Sequence, residues 1–155
     1  MGVLTGDMQR VIGEQQLGFI ATVTPDGRPN LSPKGSTKVF DDDHLIFADI
    51  ASPNTVANLR ANSGIEINVV DPIVRKGYRF KGRAEVFAEG PRFDELLAFL
   101  RSTGSTSPIN NIVLISVDSA APIWSPSYDQ GQSEARVVAD WEAKHDALKA
   151  KRASE

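Results

Sequence analysis

Ser32-Pro33-Lys34-Gly35-Ser36 places a cation, two hydroxyls and a glycine within five residues, where a strand would otherwise run on. Lys34 with the flanking hydroxyls can hold an oxyanion, and Gly35 lets a ligand approach the backbone closely. A plain strand break with turn residues has the same composition. Ser52-Pro53-Asn54-Thr55 reads as a helix start, whose free N–H groups and dipole favour a phosphate. Viewed alone, that stretch is equally a simple N-cap. The third stretch, Arg75-Lys76-Gly77-Tyr78-Arg79-Phe80-Lys81-Gly82-Arg83, holds five of the chain's 17 cationic side chains. On a strand, Tyr78, Phe80, Gly82 and Ala84 share one face, and Arg79, Lys81 and Arg83 share the other. Such a row repels itself unless it is solvated or faces an anion.

Other chemistries find no footing. Cysteine is absent, which excludes disulfides, thiol nucleophiles, iron–sulfur clusters and cysteine-ligated zinc. With only His44 and His145, a multi-histidine metal site is excluded too, and no metal is expected. Ser32, Ser36 and Ser125 lie in no Gly-x-Ser-x-Gly elbow, and no P-loop or Gly-x-Gly-x-x-Gly run follows a strand. Asp41, Asp42 and Asp43 are consecutive and point in different directions, so turn chemistry explains them better than a calcium loop. His44, just after that turn, and His145, in a charged helix, are expected at the surface. Lys76-Gly77-Tyr78-Arg79-Phe80 matches half of an RNA-recognition pattern, but Arg79 and Lys81 stand where small and apolar residues belong. Nucleic-acid binding is not expected.

The elements that must position these stretches can be read from periodicity. A first helix of about a dozen residues is opened by Thr5 or Asp7 and carries Met8, Val11 and Ile12 on one face. Strands follow at 19–23, then 29–32 continued over 36–40 past Pro33 and Gly35, then 44–48, as an antiparallel meander. A short helix runs from Ser52 as N-cap to a closing Gly64. Strands at 65–70 and 78–87 come next, then a helix at 91–103 with Phe93, Leu96, Leu97 and Leu100 on one face. The last strand is 111–117, and a polar tail helix starts near Ser133 with Val137, Val138, Trp141 and Leu148 in a stripe. Six strands with few helices between them favour a small antiparallel barrel over βαβ wrapping.

Composition agrees with one folded domain over residues 1–155. The chain is 41% hydrophobic, 24% charged and 7% aromatic, with a formal charge of −3, so a general nucleic-acid coat is excluded. No apolar stretch approaches the roughly 20 residues of a membrane span. Asp7 and Arg10 interrupt the start, and Gly6 stands where myristoylation needs Ser or Thr. A soluble, cytoplasmic protein is expected.

Taken in order, the motifs resemble a known family. They are Gly18-Phe-Ile-Ala-Thr-Val-Thr-Pro-Asp-Gly-Arg-Pro-Asn30, Ser32-Pro33-Lys34-Gly35, Leu45-Ile-Phe-Ala-Asp49, Asn54-Thr55-x-x-Asn58-Leu59-Arg60-x-Asn62 and Tyr78-Arg-Phe-Lys-Gly82-x-Ala84. This is similar to the pyridoxamine 5′-phosphate oxidase-like flavin-binding split-barrel family, especially its small single-domain members, over about residues 8–118. The resemblance implies a mostly β fold with short helices, an antiparallel split β-barrel of the FMN-binding type with a C-terminal helix. It also implies a homodimer with FMN held noncovalently at the subunit interface. On that template Ser32, Pro33, Lys34, Gly35 and Ser36 border the flavin ring and ribityl chain. Ala48 and Asp49 give backbone contacts, and Asn54 and Thr55 meet the phosphate. Many relatives carry Arg-Lys or Lys-Thr at that last pair. With Asn54 there, the charge falls to Lys34, Arg79 or Lys81, and a deazaflavin stays open as the alternative cofactor. The basic strand would lie beside the same site. Nothing recognisable clamps pyridoxamine phosphate, so vitamin B6 synthesis is not inferred.

Two large aromatics, Trp124 and Tyr128, fall in a proline-containing stretch outside the strands read above. They are expected to pack on a partner subunit and contact its cofactor, with folding back on their own barrel as the competing arrangement. The leading function is a flavin-dependent oxidoreductase acting on a small organic substrate, with the flavin carrying the redox chemistry. That explains why no acid–base pair stands out and no catalytic residue is assigned. A non-catalytic flavin carrier or electron-transfer protein, a deazaflavin-dependent reductase, and an anion- or RNA-binding small barrel are the alternatives.

Overall fold

The structure is a computed structural model that describes residues 2–155; Met1, which heads the segment read against a leader, lies outside them. Thr5 caps the first helix, α1 (Gly6–Gln15), its hydroxyl accepting from the Met8 amide, and Val11 and Ile12 are buried. A hairpin joins β1 (Gly18–Val23) to β2 (Pro29–Lys34), with Gly27 at φ 82° in its turn. A second hairpin joins β3 (Lys38–Val39) to β4 (His44–Asp49). Asp41 organises its turn, accepting from the Asp43 amide and meeting His44 Nδ1 at 2.7 Å. Asp41 is thus spent on turn geometry, while Asp42 and Asp43 accept from Gln9 Nε2 and the Val3 amide, and His44 is partly buried rather than fully exposed.

Then follow α2 (Pro53–Ala61), β5 (Gly64–Asp71), β6 (Lys76–Phe87), α3 (Pro91–Ser102), β7 (Asn111–Trp124), the single turn α4 (Pro126–Asp129) and α5 (Glu134–Ala153). All seven strands form one antiparallel sheet in the order β2-β1-β5-β6-β7-β4-β3. β2 and β3 are separated by three residues in the chain yet sit at opposite edges of the sheet. The sheet is therefore curled into a half-barrel, and the segment Gly35–Thr37 bridges its two edges.

That bridge corrects the expected meander. Residues 36–40 do not continue β2; they cross to the other edge and pair with β4. Two further boundaries move. Gly64 opens β5 rather than closing α2, which ends at an Asn62 cap. β7 runs seven residues past Val117, because β6 is long enough to keep pairing with it to Trp124.

The interior is packed by Ile12, Ile20, Leu45, Phe47, Ile67, Val69, Phe80 and Ile115. The other face of β4 and β7 is covered by α3, whose Leu96 and Leu100 pack on Ile46, Ile112 and Leu114. Burial on both faces explains why Leu45-Ile-Phe-Ala reads as an unbroken apolar run. The outer face of β1 and β2 has no such cover. Phe19, Val23 and Leu31 stand there, with Leu31 66% exposed.

Candidate functional site

Lys34 ends β2 with its side chain on the inner face, paired opposite Gly18. It is only 7% exposed, and its Nζ donates to Ser32 Oγ at 2.5 Å and Ser52 Oγ at 2.6 Å. Burial lowers its pKa, opposed by the field of Asp49. Thr37, fully buried, fixes the backbone just beyond by donating to the Lys34 carbonyl at 3.0 Å.

Asp49, at the end of β4, organises the neighbouring turn. Its Oδ1 accepts from the Ser52 amide at 2.7 Å, and its Oδ2 from Asn111 Nδ2 at 2.8 Å. Arg60 in turn donates to Asn111 Oδ1. Asp49 therefore acts through its buried carboxylate, a role that a backbone-contact reading does not contain. Ser52 stands at the N-cap of α2, but its hydroxyl accepts from Lys34 and makes no cap bond. With Pro53 contributing no N–H, the first-turn amides of Asn54 and Thr55 are left for an outside acceptor. Ser36 brackets Ala48: its Oγ accepts from the Ala48 amide and donates to the Ala48 carbonyl.

Two adjoining cavities meet at Ala51 and Ser52. The larger, about 500 Å³, is lined by Pro33, Lys34, Gly35, Ser36, Ala48 and the loop 103–107. The smaller, about 220 Å³, lies over the start of α2 between Ser32, Asn54 and Thr55. The structure thus brings together Ser32, Pro33, Lys34, Gly35, Ser36, Ala48, Asn54 and Thr55, with Asp49 buried behind them. A Cβ added at Gly35 would meet no atom within 4 Å and would project into open space, so the backbone there can be approached.

Arg79 and Lys81 are elsewhere. They lie on the outer face of β6, where Arg79 pairs with Glu66 at 2.8 Å and Lys81 with the same carboxylate at 3.6 Å. The anion they face is thus a side chain of their own chain. Tyr128 donates to the Val74 carbonyl at 2.6 Å and lies under Lys76, so its stretch folds back over the β5–β6 hairpin. Trp124 donates to Asp129 and stays 51% exposed, lining a separate cavity with Tyr78 and Arg10. The loop 103–107 was not anticipated as a wall; its Thr-Gly-Ser-Thr-Ser run was the available signal.

The donors fit a phosphorylated flavin: a buried ammonium, an uncapped helix start and a glycine-edged cavity of ligand size. A family model for pyridoxamine 5′-phosphate oxidase matches residues 4–121. The chain belongs to this family. Solved structures share the fold of this family member. The HupZ protein of Group A Streptococcus is 31% identical and superposes over 78% of this chain and 94% of its own, with a TM-score of 0.70. An FMN-binding protein of Syntrophomonas wolfei, 19% identical, covers 79% and 87% at 0.65. An F420 reductase, 18% identical, covers 76% and 98% at 0.59. An uncharacterized protein of Methanocaldococcus jannaschii is 30% identical over 89 residues, 56% of this chain and 58% of that one. The chain spans little more than half the length of that curated relative. Among the described residues no helix is long and apolar enough to cross a membrane, and no cluster of His, Cys, Asp or Glu could hold a metal.

Proposed function

We propose that this protein is a homodimeric FMN-binding oxidoreductase acting on a small organic substrate. The observation that carries the reading is the junction of Lys34, Ser52 and α2. The cap hydroxyl is drawn onto a buried ammonium, so a cation on the larger cavity and a helix start with open amides on the smaller one meet at Ser52. Asn54 and Thr55 would receive the flavin phosphate on their amides. Lys34 would supply the positive charge that Asn54 lacks, and Pro33 and Gly35 would border the ring. Bound FMN supplies two-electron redox chemistry; the chain's own groups bind it, orient it and set the charge around it.

The outer face of β1 and β2 supports a second copy as partner. Phe19, Val23 and Leu31 are exposed together there, and Leu31 also lines the hollow over α2. On the same face Asn68, paired opposite Phe19, has a buried Oδ1 with no hydrogen-bond partner. Partner-subunit contacts from Trp124 are part of this reading, since that ring is half exposed; Tyr128 is held by its own hairpin. A deazaflavin is the second cofactor reading, favoured by the neutral Asn54 and by the F420 reductase that shares the fold. Titrating the apoprotein with FMN, and separately with a deazaflavin, tests both. The reading expects quenching of flavin fluorescence with a micromolar or tighter constant, about −8 kcal/mol. Absence of quenching by either compound would overturn it.

A further inference from the structure

Beside Lys34, which the flavin reading also uses, the larger cavity carries Lys38 and the loop 103–107, which that reading leaves unassigned. Lys34 lines it, and its Nζ has only two neutral hydroxyls as acceptors, with no carboxylate paired to it among the described residues. A desolvated lysine of this kind is a better nucleophile than a hydrated surface one. Across the cavity, three carbonyls of the loop 103–107 are already taken. Lys38 Nζ donates to the Thr103 carbonyl at 3.2 Å, and Arg101 donates to the carbonyls of Ser105 and Ser107 at 3.0 and 2.8 Å. The hydroxyls of Ser105, Thr106 and Ser107 remain on the lining, together with Lys38, and no acidic side chain shares it. One wall therefore carries a nucleophilic amine and the other carries donors and a cation.

We propose that Lys34 captures the carbonyl carbon of a small aldehyde bearing an acid group, which Lys38 and the loop 103–107 hold. This names a ligand class for the cavity already assigned to the flavin, and rests on that reading only for the redox role of the site. The free Nζ amine attacks the carbonyl carbon, an N–C bond forms, and the carbonyl oxygen leaves as water with the two amine protons. The product is an imine, and no electrons change hands. The ammonium loses its first proton to solvent through the open mouth of the cavity. Ser32 and Ser52 then keep hydrogen-bonded contact with the nitrogen.

The test is reductive trapping on the full chain with borohydride, followed by peptide mass analysis. Three aldehydes are compared: glyceraldehyde 3-phosphate, glyoxylate and uncharged glyceraldehyde. Lys34 is expected to be modified ahead of the exposed Lys81, Lys144 and Lys149. An acid-bearing aldehyde should act about tenfold faster than glyceraldehyde, as one charge-assisted hydrogen bond allows. The faster of the two acids identifies carboxylate or phosphate. Lys38→Ala should erase the preference for the acid, and Lys34→Arg should abolish labelling of that peptide. Modification of exposed lysines with Lys34 untouched would overturn the proposal, as would equal rates for charged and uncharged aldehydes. Should FMN cause no quenching while Lys34 is still trapped, the flavin reading fails and this one stands.

Discussion

Burying an ammonium costs several kcal/mol unless it is paired, and Lys34 is offset only by two serine hydroxyls and the field of Asp49. Such a residue weakens the fold. Lys34→Met is therefore expected to leave stability equal or higher while weakening FMN about tenfold to hundredfold, the worth of a charge-assisted hydrogen bond. Lys149→Ala, which removes one side of an exposed pair with Asp146, should change neither. Paired urea melts and flavin titrations check both variants. The pH dependence has a definite sign. Because burial lowers the folded pKa of Lys34, the unfolded chain holds the extra proton between that value and the ordinary value of about 10.4. Stability should therefore rise with pH across that window in the wild type, and this component should vanish in Lys34→Met.

β6 spans the sheet from α1 to α3, and two of its residues have no room for a side chain. A Cβ on Gly82 would lie 2.1 Å from the Ser116 carbonyl oxygen, at the register shift where β7 carries an extra residue. Gly82→Ala should cost about 1–3 kcal/mol in a denaturant melt, as overpacking against backbone does. At its other end Tyr78 donates to Asp7 and ties β6 to α1. That hydroxyl, then Arg10, holds the Asp7 carboxyl below its ordinary value. The tether is thus complete above about pH 4 and is lost as pH falls through the lowered folded value. Amide exchange in α1 should quicken in acid for the wild type, and Asp7→Asn should be quick throughout. The strands and helices with strong periodicity, such as β1, β4, β5 and α3, were legible because each carries its own apolar pattern. β3 was not, since a two-residue strand has no period and its partner is set by closure of the sheet. Residues 118–124 carry no alternation and are strand only because β6 continues beside them. At the site, Lys34 and the start of α2 were legible by type. The carboxylate of Asp49 and the seating of Arg79 on Glu66 depend on which strands become neighbours.

The whole molecule carries a net charge of −3, yet its larger cavity is lined by Lys34 and Lys38 without a carboxylate. A local positive hollow in an acidic protein concentrates anions where the mean charge would repel them. The apolar outer face of β1 and β2 adjoins the smaller hollow over α2 through Leu31, so assembly and cofactor binding are expected to be coupled. Leu31→Asp should shift the sedimentation profile from dimer to monomer and weaken FMN in the same step, since a buried carboxylate in an apolar interface is costly. The measurement that tests the central claim most directly is sedimentation velocity followed at the visible absorbance of FMN, with protein and flavin at equal micromolar concentrations. The account predicts one flavin-coloured boundary at about twice the chain mass, carrying one flavin per chain. Colour that stays with the unsedimented solute, or travels with a monomer, would contradict it.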